Sequence, residues 1–205
     1  MDRFFRKRFT YVLILLFLIS MPFISALHAS EPEFSTIAPL AAKSYLLDGV
    51  LADGRVVVVG ERGHVLYSDD KGDTWTQVRV PTIATLTGVY FHDKNLGWAV
   101  GHDAVIIKTT DGGESWERVH FAPEEERPLF DVWFSDENTG IAVGAYGFFL
   151  TTEDGGKSWA SKMISEDDWH LNQIKASDTR RLYIAAEAGT IYRSYDQGLT
   201  WTSLA

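Results

Sequence analysis

The sequence contains no cysteine among its 205 residues. This absence excludes disulfide bonds, a cysteine nucleophile, cysteine-bound metals and lipid attachment to a cysteine. It does not argue against an oxidising compartment, because a chain of this length buries enough core without disulfides. Residues 30–205 also lack the apolar periodicity of amphipathic helices, which argues against a helical fold.

Basic residues are scarce. The 19 Lys and Arg face 28 Asp and Glu, which gives a formal net charge of −9. Nucleic-acid binding depends on neutralising phosphates, so an acidic chain disfavours a nucleic-acid partner. The same charge disfavours general adhesion to anionic lipid, and its simplest role is solubility.

Long hydrophobic runs are confined to the N-terminus. Four basic residues within 3–8 precede a nearly apolar stretch, 11–24, and Ala29 offers a small residue for cleavage. This layout is typical of a secretory signal peptide, so we predict that residues 1–29 direct export. An uncleaved membrane anchor is the alternative, but the stretch is short for a full span and Pro22 interrupts it.

One eight-residue pattern occurs four times. The segment SDDKGDTW at 68–75 is matched by segments at 109–116, 152–159 and 194–201. The closing tryptophans follow one another at intervals of 41 to 43 residues. A fixed period of this size indicates a repeat architecture, and this length suits a propeller blade of four strands.

Each repeat contains four short strand-like segments separated by polar turns. We therefore predict an all-β fold, a β-propeller of four-stranded antiparallel blades. The predicted blades occupy about 45–80, 86–122, 129–164 and 171–205. Residues 30–44 form an N-terminal segment, within which 33–40 is a candidate for a strand that closes the ring.

The repeated residues suit a turn better than a catalytic site. We expect the Asp to accept backbone N–H groups two residues on, the Gly to supply an unusual backbone angle, and the Ser or Thr before Trp to add a local bond. The Trp would carry apolar surface between blades. These structural residues are Asp70, Gly72, Trp75, Asp111, Gly113, Trp116, Asp154, Gly156, Trp159, Asp196, Gly198 and Trp201.

The pattern Ser/Thr-x-Asp-x-Gly-x-Thr/Ser-Trp resembles the Asp-box, or BNR repeat, of sialidases and related propellers. The longer form, with Val-Gly-x-x-Gly before it, is similar to the photosystem II assembly and stability factor family. That resemblance implies a non-enzymatic scaffold that binds a membrane or membrane-associated protein. It also implies work in the periplasm or a compartment like the thylakoid lumen, at or near the membrane. In a non-photosynthetic host the partner would be another membrane complex or an exporter.

The resemblance also implies a larger ring, typically of seven blades. Four repeats therefore suggest a truncated or split version of a longer propeller. A true four-bladed ring, a homodimer that completes the circle and a non-functional gene fragment are the alternatives. Unclosed blades would expose edges and apolar faces through which copies could self-associate.

Variation between repeats points to the rim opposite the Asp-boxes, formed by the turns between second and third strands and by the loops between blades. We call it the variable rim, because a repeat protein places recognition where its repeats differ. Trp169 stands out there as an aromatic beside acids, with burial beneath the rim as the alternative. The candidate partner-binding residues are Glu61, Arg62, His102, Asp103, Arg127, Tyr146, Trp169, His170 and Glu187.

The main alternative function is a sialidase-like glycoside hydrolase or a carbohydrate-binding module. Sialidases need an arginine triad, a nucleophile pair and an acid, and their sequence signature precedes the first box. That signature is Phe/Tyr-Arg-Ile-Pro. The most similar segment of this chain, Val-Arg-Val-Pro at 78–81, follows the first box and has no aromatic residue at its first position. We therefore predict no enzyme activity, no catalytic residues and no cofactor. We also predict no metal site, because the histidines are scattered along the sequence and no pair has the spacing of metal ligands.

Overall fold

The computed structural model describes residues 31–178 and 180–204. The predicted signal peptide, 1–29, lies outside the described residues. No helix in the described part of the chain is long and apolar enough to cross a membrane.

The described residues form sixteen strands in four antiparallel sheets, which we call blades one to four. Blade one contains β1 (Leu46–Ala52), β2 (Arg55–Gly60), β3 (Val65–Ser68) and β4 (Thr76–Val78). Blade two contains β5 (Leu86–Phe91), β6 (Gly97–Gly101), β7 (Ile106–Thr109) and β8 (Glu117–His120). Blade three contains β9 (Leu129–Phe134), β10 (Gly140–Gly144), β11 (Phe149–Thr152) and β12 (Ala160–Lys162). Blade four contains β13 (Leu171–Ala176), β14 (Leu182–Ala186), β15 (Ile191–Ser194) and β16 (Thr202–Ser203).

Short 3-10 turns connect some of these strands. They lie at Ala41–Lys43, Glu61–Gly63, His102–Ala104, Pro123–Glu125 and Glu187–Gly189. Three of them join the second and third strands of blades one, two and four, which places them on the variable rim.

The strands of each blade are paired in chain order, as in a meander. The first strands lie side by side: β1 packs on β5, β5 on β9, and β9 on β13. This arrangement confirms the predicted propeller architecture. Among the described residues β1 and β13 do not pack on each other in this way, so the four blades form an open arc and not a closed four-bladed ring.

The core lies between neighbouring blades. One cluster joins Val57, Val59 and Val65 of blade one to Val89 and Phe91 of blade two. Equivalent clusters join blade two to three and blade three to four. Successive side chains of a strand point to opposite faces of the sheet, and β6 and β10 are buried at every position, so both faces of blades two and three are buried against their neighbours.

Close backbone approach explains the small residue that ends the second strand. A Cβ atom added to Gly101 would lie 2.1 Å from the carbonyl oxygen of Thr85, and one added to Gly144 would lie 2.2 Å from that of Pro128. Such a contact is impossible without moving backbone, so glycine is required there. In blade four Ala186 occupies the equivalent position.

The N-terminal segment lies against blade one. Ser35 and Val80 are linked by two hydrogen bonds of 2.9 Å, and the Gln77 side chain bonds the backbone of Thr36 and Ala38. Residues 33–40 form no strand in the structure. A ring-closing role for this segment therefore stays a prediction.

Candidate functional site

The Asp-box turns are fixed by two side chains, as the third copy illustrates. Thr152 Oγ1 donates to Asp154 Oδ1 (2.8 Å) and accepts the N–H of Gly156 (3.0 Å). Asp154 accepts the N–H of Ser158 at Oδ1 (2.9 Å) and the Ser158 hydroxyl at Oδ2 (2.6 Å). The same network is present in the other three copies.

One detail of the predicted turn chemistry is wrong. The Asp was expected to accept a backbone N–H two residues on, but Asp154 accepts the N–H of Ser158, four residues on. The N–H of Asp154 itself donates to the Thr152 hydroxyl, two residues earlier, at 3.3 Å. The buried hydroxyl that closes each turn was missed by sequence reasoning. Its signal was present, because every copy begins with Ser or Thr. These hydroxyls belong to Ser68, Thr109, Thr152 and Ser194.

Hydrogen bonds keep the box aspartates ionised. The hydroxyl four residues on, followed by the backbone N–H of the same residue, lowers the pKa of Asp70, Asp154 and Asp196 to about 2. At Asp111 burial acts to raise the pKa of the carboxyl, but the hydrogen bonds from Ser115 act in the opposite direction and are stronger together. The net effect is a lowered pKa, as in the other three boxes. A carboxylate held this way accepts bonds in its turn and is a poor proton donor.

In blades two, three and four the box tryptophan closes the turn onto the core. The indole N–H of Trp116 donates to the Gly113 carbonyl at 3.1 Å, and its ring meets that of Phe91 edge-on. Trp159 and Trp201 donate to Gly156 and Gly198 in the same way. These tryptophans thereby fix each turn and pack apolar surface against the core between blades.

The variable rim carries a repeated backbone feature. In each blade the turn after the second strand holds a non-glycine residue with φ between 52° and 58°. Such left-handed backbone is unfavourable for residues with a Cβ and is enriched at functional sites. The four residues are Arg62, Asp103, Tyr146 and Ala188. Three of them are candidate partner-binding residues, and all three are exposed.

Three candidates converge where blades three and four meet. His170 Nδ1 accepts the backbone N–H of Tyr146 at 3.1 Å, and the His170 backbone N–H donates to Glu187 Oε2 at 3.1 Å. The rings of Tyr146 and His170 meet edge-on with centroids 4.6 Å apart. The Phe130 ring also meets this imidazole edge-on, with ring centroids 5.8 Å apart. We call Tyr146, His170, Glu187 and Phe130 the rim cluster.

The rim cluster borders a groove. Arg127, Tyr146, Lys162, Asp167 and Asp168 are among the residues around a cavity of about 340 Å³. The Arg127 guanidinium lies 4.1 Å from the centre of the Phe148 ring and pairs with Glu125. The groove thus places both signs of charge beside an aromatic side chain that is 57% exposed, Tyr146.

Trp169 was singled out as a candidate contact residue on the variable rim, with burial beneath the rim as the alternative. Its ring is half-buried and packs against the core between blades three and four, and its carbonyl accepts the Gly147 N–H at 2.9 Å. It supports the turn that presents Tyr146.

The remaining candidates lie apart, on blades one and two. Glu61 Oε1 accepts the Tyr45 N–H at 3.3 Å, and the Asp103 carbonyl accepts the Ala122 N–H at 3.1 Å. Arg62 and His102 are exposed on the same two turns. Sequence reasoning missed Phe130, although it is the one aromatic among the four equivalent positions, which hold Leu47, Thr87, Phe130 and Asn172.

Metal-binding geometry is not found in the described part of the chain. No group of three or more histidine, aspartate or glutamate side chains there is arranged to hold an ion. On the Asp-box rim, Arg55 bridges blades one and two, with bonds to Asp69 (2.7 Å), to the Gly112 carbonyl (3.1 Å) and to Glu114 (3.2 Å).

Comparison with known proteins points to one family. The family model described as photosynthesis system II assembly factor YCF48 matches residues 73–205. The chain is 40% identical over 129 residues to the photosystem II assembly lipoprotein Ycf48 of Nostoc sp., a match that covers 62% of this chain and 38% of that protein. The chain spans between 11% and 38% of the length of the curated relatives it matches.

Two solved structures share the fold. A structure titled YCF48 bound to D1 peptide has a TM-score of 0.53 and 16% identity, covering 88% of this chain and 87% of that one. A GH74 enzyme of Niastella koreensis has a TM-score of 0.62 and 18% identity, covering 78% of this chain and 29% of the enzyme. At these identities the likeness concerns the fold alone.

Proposed function

Because the chain belongs to the photosynthesis system II assembly factor YCF48 family, we propose that it is a non-enzymatic scaffold that binds a membrane or membrane-associated protein during assembly. We place this binding on the variable rim, at the rim cluster and the groove beside it. The single observation that carries this placement is the convergence of Tyr146, His170 and Glu187 across two blades.

The chemistry of the rim cluster suits a protein segment. Tyrosine offers a large apolar ring and a hydroxyl at low entropic cost, which is why it is frequent at interface hot spots. Arg127, Lys162, Asp167 and Asp168 line the groove and provide charges of both signs for the backbone and side chains of a bound segment. The fold neighbour solved with a D1 peptide supports a peptide segment of a membrane protein as the class of ligand.

The left-handed turns support the same placement. A glycine would adopt the backbone of Arg62, Asp103 and Tyr146 without strain, yet each of these positions carries an exposed functional side chain. Strain of this kind, on the order of 1 kcal/mol for each residue, persists where the surrounding structure holds the turn, and it is frequent at functional sites.

We propose that the protein is exported and acts in the periplasm or a lumen-like compartment, at the surface of the membrane. The charged and apolar N-terminal sequence supports export. Relatives described as assembly lipoproteins support a membrane-proximal site of action.

The experiment is quantitative co-purification from solubilised membranes of the source organism. The wild-type chain is compared with the triple variant Tyr146→Ala, His170→Ala and Glu187→Ala. A matched control carries Glu137→Ala, Glu153→Ala and Lys157→Ala, which replaces three exposed residues on the Asp-box rim of blade three. We expect the rim variant to retain about a tenth or less of the captured membrane protein and the control to retain it.

Equal capture by the rim variant and the wild type would show that the rim cluster is not the binding site. Failure of the wild type to enrich any membrane protein would contradict the proposed function itself. Hydrolysis of a glycoside by the pure protein would overturn its non-enzymatic character and favour the glycosidase alternative.

A further inference from the structure

The face that each blade turns toward the next is built from three equivalent positions. In blades one to three all nine side chains are buried in the core between blades: Val57, Val59, Val65, Trp98, Val100, Ile106, Ile141, Val143 and Phe149. In blade four these positions hold Tyr183, Ala185 and Ile191, and Ile191 is 44% exposed. Among the described residues, an apolar face that three blades bury is therefore uncovered in the fourth. We call these three residues the leading face.

In the part of the chain that the structure describes, blade one leaves the inner part of the complementary face uncovered, while Leu66 on its third strand is buried. Phe91 and Phe134 are buried where blades two and three receive their predecessors, but the equivalent Leu51 is 69% exposed. Gly49 beside it is exposed, and Val58 is half-buried. The described N-terminal segment contacts blade one through Gln77 of its outermost strand and through the 2.8 Å contact between Ser44 and His64. We call Gly49, Leu51 and Val58 the receiving face.

Cations reinforce the contacts of blade one with blade two and of blade two with blade three. Lys108 of blade two donates from Nζ to the Gly155 carbonyl of blade three at 2.9 Å. Arg55 of blade one donates to Gly112 of blade two, at the same position of its Asp-box, and pairs with Glu114 at 3.2 Å. A positive side chain on one blade thus meets the Asp-box turn of the next.

Arg193 is the equivalent of Lys108 in blade four. Its backbone belongs to β15, but among the described residues its buried Nε has no hydrogen-bond partner, and its guanidinium lies 4.5 Å from the centre of the Tyr195 ring. On blade one the groups equivalent to the Gly155 carbonyl and the Glu114 carboxylate are the Lys71 carbonyl and the carboxylate of Asp73, which is exposed. The two faces therefore match in charge as well as in apolar character.

From this match we propose that the leading face of one chain docks head to tail on the receiving face of a second copy. The contact continues the blade-to-blade packing that the chain already uses three times, with Ile191 set against Leu51 of the other copy and Arg193 reaching Asp73 of its first Asp-box. A heterologous contact of this kind joins different faces of identical chains.

The test measures the mass of the purified full chain by sedimentation and light scattering over a wide concentration range. The variants are Ile191→Asp on the leading face, Leu51→Asp on the receiving face, and Met163→Asp as the control, since Met163 is exposed elsewhere on blade three. Circular dichroism checks that each variant is folded. We expect the wild type and the control to exceed the monomer mass as concentration rises, and each face variant to remain monomeric.

Mixing provides the decisive arm. The Ile191→Asp chain keeps its receiving face and the Leu51→Asp chain keeps its leading face, so the mixture should form a species of two chains that neither variant forms alone. A second pair, Arg193→Glu and Asp73→Lys, should each weaken association about tenfold and restore it when mixed or combined. A wild type that stays monomeric at every concentration overturns the proposal, and so does association that survives both face variants.

Discussion

The ring of Trp98 in blade two stacks on the ring of Phe134 in blade three, with centroids 3.5 Å apart and planes 8° from parallel. The Trp98 indole N–H also donates to the Gly155 carbonyl of the third Asp-box at 3.3 Å. Trp159 of that box meets Phe134 edge-on at 5.9 Å. This aromatic group couples the packing between two blades to the turn that ends the third strand of blade three.

We expect Phe134→Ala to be among the most damaging single substitutions. Phe134 is buried against both tryptophans, so truncation creates a cavity and should cost about 3–5 kcal/mol of the free energy of unfolding. The measurement is urea denaturation followed by circular dichroism. Phe121→Ala, at a partly exposed phenylalanine of the same chain, is the control and should cost less than about 1 kcal/mol. Equal losses would show that the stack carries no special weight.

The buried hydroxyl of the Asp-box provides a second test. Thr152→Val keeps the side-chain shape but leaves the Gly156 N–H, buried inside the turn, without its acceptor. We expect a loss of about 1–3 kcal/mol in the free energy of unfolding. Thr151→Val, one residue earlier on β11 and half-buried, is the matched control and should change stability by less than about 0.5 kcal/mol.

Acid should weaken the box turns in a defined pH window. The pKa of Asp154 is lowered to about 2, below the roughly 3.9 of an unfolded aspartate. A lowered pKa contributes stability that is present above about pH 4 and lost as the pH falls toward about 2. Asp154→Asn should therefore reduce stability near neutral pH and flatten its loss on acidification.

The measurement is the urea midpoint at several pH values across that window. Glu153→Gln, at the exposed neighbouring position of the box, is the matched control and should keep the wild-type urea midpoint near neutral pH. A carboxyl carbon NMR titration that places Asp154 near its ordinary value would contradict the hydrogen-bonded turn.

Local chemistry explains why so much of the fold was predictable. Each Asp-box turn depends on residues within four positions of one another, such as Thr152, Asp154, Gly156 and Ser158. The interval between boxes then sets the number of residues in a blade, and the four strand-like segments within each interval predict a four-stranded sheet. The glycine that ends β6 and β10 was visible as a repeated small residue, although its cause, the approach of a neighbouring carbonyl, was not.

Three members of the rim cluster, Tyr146, His170 and Glu187, were predictable as separate residues, whereas Phe130 was not predicted. Tyr146 and His170 are 24 residues apart, and His170 and Glu187 are 17 apart. Their convergence depends on how blades three and four are placed side by side, which the repeat pattern does not encode. The same holds for Trp169, whose half-buried ring depends on the core beneath it.

A buried carboxylate between inner strands offers a further stability prediction. Asp131 Oδ2 of β9 accepts the N–H of Ile174 in β13 at 3.0 Å, and burial raises the pKa of this carboxyl. Asp131→Ala leaves that N–H unpaired and should cost about 1–3 kcal/mol. Asp48, which accepts the Val89 N–H at 2.8 Å in a half-buried setting, is the comparison, and Asp48→Ala should cost less. Thermal denaturation of the two variants under one set of conditions decides the order.

Replacing the left-handed tyrosine separates stability from binding. Tyr146→Gly removes the ring that contacts His170 but relieves a backbone with φ of 52°. Ala188→Gly relieves the same conformation in blade four without removing a functional side chain, so it should stabilise the fold by about 0.5–1 kcal/mol. We expect Tyr146→Gly to change the free energy of unfolding by less than about 1 kcal/mol while abolishing capture of the membrane protein. A strained tyrosine that binds nothing predicts the opposite pair of results, a clear gain in stability and unchanged capture, so the two measurements together decide whether the strain serves recognition.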